Sequence, residues 1–570
     1  VRRTADRPGA GRPLAAPARL ILLVRLVVLA QLALVALPGV TEAQAPRGSV
    51  AELSPLEARG KQLYLTGEGP SGEAVTALMG DAAIEVPATA LPCASCHGRD
   101  GRGRPEGGVV PSDLTWGALT RPYTVSTAAG RARGPYTERT VQRAVLLGVD
   151  SSGNDLDSLM PRYRLTREDA DALVAYLQVL GRDRDPGVED ETLTLGVLLP
   201  PAEAAQLAAT ARTVRTVVDA YVARINDGGG VYHRALRVRY LPVPAAVEER
   251  PAAVRTFLDA ERIFALVTSF TAGADRELAD LAEERSVPLI GPLTLHPDES
   301  FPLNRQVFYL DGGLPGRARA LVEAAVRRER ETADRTGSTG GAPEARSPRA
   351  TAPRTAAIVY ADEPRMAAVA RAAADAADQH FAAIERLGYR PGGFDAAEAV
   401  DRLRTAGAED VFLLTPGPAE AALLDAAAAA GWSPRLHALG SLVGSELFTP
   451  RPGFQGRLYL ALGTLPLDRT PPGLAHFHDA LGDPSIAPGT TEIAAFTAID
   501  LLVDGLERTG RDVSREGLIE ALEVLRDRPT GLTRPLSFGP NRRVGIRGAY
   551  VVRLDPAHPE APTEVVWVEP

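Results

Sequence analysis

Cys93, Ala94, Ser95, Cys96 and His97 put two thiols and an imidazole within five residues, and these are the only cysteines among 570 residues. Two thiols three positions apart can form thioethers to the two vinyl groups on one porphyrin edge. The histidine that follows then lies under the iron as the proximal ligand, so C-x-x-C-H reads as a c-type haem attachment site. A structural zinc site would need a second Cys or His pair, which the sequence does not offer. A thioredoxin-like pair belongs beside a βαβ pattern, whereas this stretch is rich in Gly and turns, and two cysteines cannot staple a disulfide scaffold.

The iron needs a sixth ligand, and methionine is scarce: Met79, Met160 and Met366. Met160 stands in Asp157-Ser158-Leu159-Met160-Pro161-Arg162-Tyr163, just ahead of a helical pattern. That pattern has Thr166 as N-cap and acids in the first turn, with Leu173, Val174, Tyr176, Leu177 and Leu180 as its apolar stripe. A second helix is signalled over 54–64, where Ser54 and Glu57 form a capping box around Pro55. Met79 precedes the cysteines in what reads as an inserted loop, Leu65 to Pro92.

Residues 54–180 resemble a class I c-type cytochrome. The match rests on Gly60 and Tyr64, on Cys93-Ala94-Ser95-Cys96-His97-Gly98-Arg99-Asp100-Gly101-Arg102-Gly103, on Leu159-Met160-Pro161-Arg162-Tyr163 and on Leu173-Val174-Ala175-Tyr176-Leu177. The resemblance implies a small all-α domain, one covalent haem c held through Cys93 and Cys96, and iron ligation by His97 and Met160. The domain is expected over 44–186.

Ahead of it, Arg2, Arg3, Arg7, Arg12 and Arg19 lead into an apolar run from Leu20 to Leu37, then Pro38-Gly39 and small residues. This order predicts a secretory signal peptide over 1–43, with cleavage after Ala43, and hence a periplasmic protein. Left uncleaved, the run is close to the length of a membrane span and would be the chain's one link to a membrane.

Beyond the polar linker 181–187, short apolar runs alternate with helical stretches. Strands are expected at 193–199, 236–243, 264–268, 288–290, 307–310, 356–360, 411–414 and 458–461, which predicts an α/β architecture with parallel sheets. Leu195-Gly196-Val197-Leu198-Leu199-Pro200, Phe264-Ala265-Leu266-Val267-Thr268-Ser269, Ser286-Val287-Pro288-Leu289-Ile290-Gly291-Pro292 and Ala494-Ala495-Phe496-Thr497-Ala498-Ile499-Asp500 resemble the type I periplasmic binding proteins, in their branched-chain amino-acid-binding group. The resemblance spans 192–570, in a domain expected over 187–570, and implies two lobes, a three-strand hinge and a ligand cleft. Ser269, Thr271 and Thr294 are the candidate ligand contacts, with helix capping as the other role open to Ser269 and Thr271. Leu293-Thr294-Leu295-His296, Pro416-Gly417-Pro418 and Ser441 stand where that group has its amino-acid contacts. Residues 331–354, rich in Thr, Gly, Ser, Pro and Arg, read as a disordered insertion.

Composition narrows the function classes. A hydrophobic content of 45% and a charged content of 24% exclude a disordered chain or a multi-span membrane protein. A net charge of −9 argues against a nucleic-acid partner. No phosphate loop, nucleophile elbow or catalytic carboxylate pair is recognisable, and no enzyme activity is expected. The sequence reads as an exported electron carrier. Its expected partners are a periplasmic dehydrogenase or oxidase and a small molecule in the second domain. The alternative is a solute sensor whose haem reports redox state.

Overall fold

The computed structural model describes residues 53–69, 74–103, 110–126, 130–181, 184–337, 354–511, 513–558 and 562–570. The expected signal segment, 1–43, lies outside these residues.

The first domain is built around helices α1 (Pro55–Thr66), α2 (Cys93–His97), α3 (Glu138–Leu147) and α4 (Arg167–Val179). Ser54 and Glu57 close the capping box, and Thr166 Oγ1 accepts from the Asp169 N–H. α1 crosses α4 closely because Gly60 has no side chain: a Cβ there would lie 1.9 Å from the Ala172 carbonyl oxygen. Leu63, Tyr64, Leu173, Tyr176 and Leu177 fill the contact. The helical domain also carries a small antiparallel sheet in the order β2–β1–β3, from β1 (Thr76–Met79), β2 (Ile84–Pro87) and β3 (Arg162–Arg164). The stretch read as an inserted loop is therefore a hairpin, and Leu78 pairs with Arg162.

The second domain has two lobes. The first holds an all-parallel sheet, β14–β8–β7–β6–β4–β5. Its strands are β4 (Thr192–Leu199), β5 (Ala235–Pro242), β6 (Ala265–Val267), β7 (Leu289–Ile290), β8 (Val307–Asp311) and β14 (Val544–Ile546). The second lobe holds the sheet β10–β9–β11–β12–β13–β15–β16, parallel as far as β13 and antiparallel at β15 and β16. These strands are β9 (Thr355–Ala361), β10 (Ala383–Tyr389), β11 (Ala408–Leu414), β12 (Arg435–Leu439), β13 (Leu458–Leu462), β15 (Ala549–Leu554) and β16 (Glu564–Val568).

The chain passes between lobes after β8, after β13 and between β14 and β15, which is the three-segment hinge the resemblance implies. Helices α5 (Ala208–Asp227), α6 (Arg250–Ala260), α7 (Asp275–Glu284), α12 (Pro471–Leu481), α13 (Thr490–Thr509) and α14 (Arg515–Glu523) cover the first sheet. Helices α8 (Gly313–Gly337), α9 (Pro364–Ala377), α10 (Ala396–Thr405) and α11 (Pro418–Ala429) cover the second.

The expected insertion is narrower than 331–354. Residues 331–337 continue α8, and Arg354 is held by Asp410 at 2.5 Å and Glu329 at 3.2 Å. Only 338–353 lie outside the described residues.

Candidate functional site

α2 is a single short helix that begins after Pro92 and ends at Gly98, whose φ of 75° suits a residue without a Cβ. The Tyr64 hydroxyl donates to the Gly98 carbonyl at 2.6 Å, tying the end of α2 to α1. His97 is buried, and its Nδ1 lies 2.9 Å from the Ser112 carbonyl. A carbonyl only accepts, so Nδ1 carries the proton and Nε2 keeps its lone pair. Burial holds the imidazole below its ordinary range and the Ser112 carbonyl only partly offsets this, so His97 is neutral at pH 7. Burial also pushes the Cys93 thiol up to about 12.

Cys93, Cys96 and His97 line one side of a cavity of about 410 Å³. Leu91, Val141, Leu173 and Leu177 give it apolar walls, and Met160 lines it too. The Met160 loop is held by one guanidinium: Arg162 donates to the carbonyls of Leu156 (2.7 Å), Asp157 (2.8 Å) and Met160. The Tyr163 hydroxyl donates to Leu91 O at 2.5 Å and ties this loop to the turn before Cys93. Two thiols, an imidazole with a free Nε2 and a thioether around an apolar space of cofactor size fit a haem c. Arg131 and Arg133 bring positive charge to the wall, with the Arg133 guanidinium held by the carbonyls of Leu119, Ala118 and Gly134.

The structure thus gathers all four predicted haem residues and adds Met79, which lines the same cavity from the end of β1. The Gly80-Asp81 turn between two apolar runs was the signal for the hairpin that carries it.

The predicted ligand contacts of the second domain are engaged locally. Ser269 Oγ accepts from the Leu198 N–H and donates to Val267 O. The Thr271 hydroxyl donates to Asp275, whose other oxygen accepts from the Gly273 N–H. The Gly273 N–H ahead of α7 is therefore served by the chain's own carboxylate. Thr294 Oγ1 accepts from the His296 N–H. Asp275 also reaches Arg365 of the second lobe at 3.8 Å, so the lobes meet at this edge.

A model described as "Periplasmic binding protein" matches residues 192–559. The chain belongs to the periplasmic binding protein family. A model described as "Cytochrome c" matches residues 87–181, so a cytochrome c domain precedes the binding-protein domain, and that domain implies covalent haem c with its iron. Among solved structures, this periplasmic binding protein is similar to a fatty acid ABC transporter substrate-binding protein from Thermomonospora curvata. Identity there is 18%, with 68% of this chain and 93% of that chain covered at a TM-score of 0.50. It is also similar to a branched-chain amino acid ABC transporter protein from Thermus thermophilus with bound valine, at 15% identity, 66% and 96% coverage and a TM-score of 0.48. The first of these likenesses shows the fold. No curated protein matches the chain.

Sequence reasoning missed two charge clusters, the first of them buried. Asp410 lies at the start of β11 between Arg354, Arg435 (2.8 Å) and His437 Nε2 (2.9 Å). At the junction of the two domains, Glu516 of α14 meets Arg305 at 2.5 Å and Arg99 at 3.5 Å, and Arg305 and Arg543 share Glu523. Isolated Asp, Glu and Arg codes carry no spacing signal, so neither cluster could be read from the sequence. Among the described residues, no group of three or more His, Cys, Asp or Glu is placed to hold a metal ion, and no helix is long and apolar enough to cross a membrane.

Proposed function

We propose that the protein is a periplasmic electron carrier with one haem, joined to a binding-protein domain that takes a small ligand or docks a redox partner. The observation that carries this reading is the cavity lined by His97 and Met160 together with both thiols. Haem c, when attached, supplies a one-electron Fe(III)/Fe(II) couple, and His/Met ligation raises its potential.

The chain's residues supply the rest. Ser112 fixes the tautomer of His97, and Arg162 and Tyr163 hold the Met160 loop. The apolar walls exclude water. With His97 and Met160 both holding the iron, no position on it would be left open for substrate, so the reading is of a carrier that exchanges electrons with a dehydrogenase or oxidase, not of an enzyme.

The contact of Arg99, two residues from His97, with Glu516 favours a second reading, a sensor in which the binding domain and the haem influence each other.

Optical spectra of the haem-loaded protein, oxidised and reduced, with and without carbon monoxide, test the carrier reading. A low-spin c-type spectrum indifferent to carbon monoxide is expected. Ready carbon monoxide binding would overturn it.

A further inference from the structure

Glu420 is the third residue of α11 and 0% exposed, yet neither carboxylate oxygen has a hydrogen-bond partner. It shares its helix face with Leu423, Leu424 and Ala427, where a leucine would continue the apolar stripe without any desolvation cost.

Its surroundings lie on the side of the sheet where open α/β folds bind ligands, at the carboxyl ends of the strands. β10, β9 and β11 are neighbours, so Tyr389 at the end of β10, Glu363 after β9 and Thr415 after β11 come together. Thr415 is also buried. Arg365, two residues past Glu363, bridges to Asp275 of the first lobe, which places this edge against the opposite lobe.

Burial raises the Tyr389 phenol, and Glu420 and Glu363 raise it further. Burial alone pushes the Glu420 carboxyl up to about 8, with no cation offsetting it. Tyr389 pairs with Phe394, two half-buried rings with centroids 4.7 Å apart and planes inclined by 55°. Tilted aromatic faces backed by an unpartnered carboxyl offer what an alkylammonium group needs: π-faces for its positive charge and an anion for its N–H or N–CH₃ groups.

We propose that Glu420, Thr415, Tyr389 and Phe394 form a binding site for an organic ammonium group in the second lobe. This rests on the reading of that domain as ligand-binding and names its ligand class. The carboxyl stays protonated while the site is empty and ionises when the cation arrives, so binding at neutral pH releases a proton. The acid comes from the loop after β11, not from the Ser441 region where amino-acid binders of this fold place theirs.

The test is calorimetry on the haem-loaded full chain, with choline and n-butylammonium as probes and 3,3-dimethyl-1-butanol as the neutral isostere of choline. Either ammonium probe is expected to bind at least tenfold more tightly than the neutral alcohol. Titrations in two buffers of different ionisation enthalpy should show proton release. Glu420→Gln, an isostere of the protonated side chain, should lower affinity at least tenfold and abolish proton release, with the haem spectrum unchanged. Phe394→Ala should weaken binding several-fold. Ammonium binding no tighter than that of the alcohol, or unchanged in Glu420→Gln, overturns the proposal. Saturable binding of an uncharged or anionic probe alone overturns it too, while leaving the ligand-binding reading in place.

Discussion

Met160 and Met79 line the same cavity, and what separates them is how each backbone is held. Three carbonyls of the Met160 loop are tied to Arg162, whereas Met79 ends β1, a half-buried strand committed to the small sheet by its pairing with β2 and β3. Met160→Ala is therefore expected to convert the haem to a form that binds carbon monoxide and to lower its potential, and Met79→Ala to leave the low-spin spectrum intact. The reverse result would exchange their roles. His437 allows a second test. Its ring is stacked between Phe412 and Tyr459 (centroids at 4.6 and 5.1 Å), and Nε2 faces Asp410. Burial dominates and holds its pKa below the ordinary value, despite Asp410, with Arg328 and Arg435 acting in the same direction as burial. Below about pH 6.5 the unfolded chain takes up a proton that the folded chain refuses, so this stabilisation is lost as pH falls from there, by at most about 1.4 kcal/mol per pH unit. Asp410 is held down by His437 and Arg435 against the effect of burial, and so acts only below about pH 4. His437→Gln should flatten the melting-temperature slope between pH 7 and 5 relative to the unaltered chain. Equal slopes would assign that slope to other groups. At this scale the attachment motif was legible because covalent attachment fixes the spacing of Cys93, Cys96 and His97. Asp410, His437 and Glu516 were not, because only folding brings such singletons together.

α1 and α4 touch through backbone, and Gly60 permits it. Alanine would gain about 1 kcal/mol in helix propensity, but its Cβ would sit 1.9 Å from a carbonyl oxygen that belongs to another helix and cannot rotate away. Overpacking of this kind costs about 1–3 kcal/mol, and the backbone contact puts Gly60→Ala at the upper end. Thermal unfolding of the haem-loaded protein should show the cytochrome transition lowered, by about 2–4 °C per kcal/mol. An unchanged midpoint would mean the helices separate freely. Elements were legible where a stripe or a buried run made the pattern, as in β4, β8 and β9. They were not where a strand lies at an edge or is half solvated, as in β10 and β16, whose mixed polar and apolar residues carry no clean alternation. In the hairpin of β1 and β2 only the Gly80-Asp81 turn marked the fold, because Ile84 and Glu85 are both exposed and give β2 no alternation. Helix α8 ran into Thr- and Arg-rich text whose composition masked its last turns.

The contacts named between the two domains fall on the first lobe of the binding protein. Asp185 of the linker accepts the Arg515 N–H at 2.6 Å, capping α14, and the Arg515 side chain donates to the carbonyls of Phe264, Ile263 and Arg285. One helix thus receives the linker at its first residue and Arg99 at its second. These contacts hold the charge at Glu516 beside the loop that follows His97. Arg99 is partly exposed and Glu516 nearly buried, so their attraction is only partly screened. Reduction adds an electron to the haem, and a nearby carboxylate opposes that addition. Glu516→Gln removes the negative charge and leaves Arg99 without it, and both effects favour the reduced state. Potentiometric titration should show a higher potential in Glu516→Gln than in the unaltered chain, with the difference shrinking as ionic strength rises from 0.01 to 0.5 M. An unaltered potential would mean that the charge of the binding domain does not reach the haem, and the sensor reading would then have to find another route between the two sites.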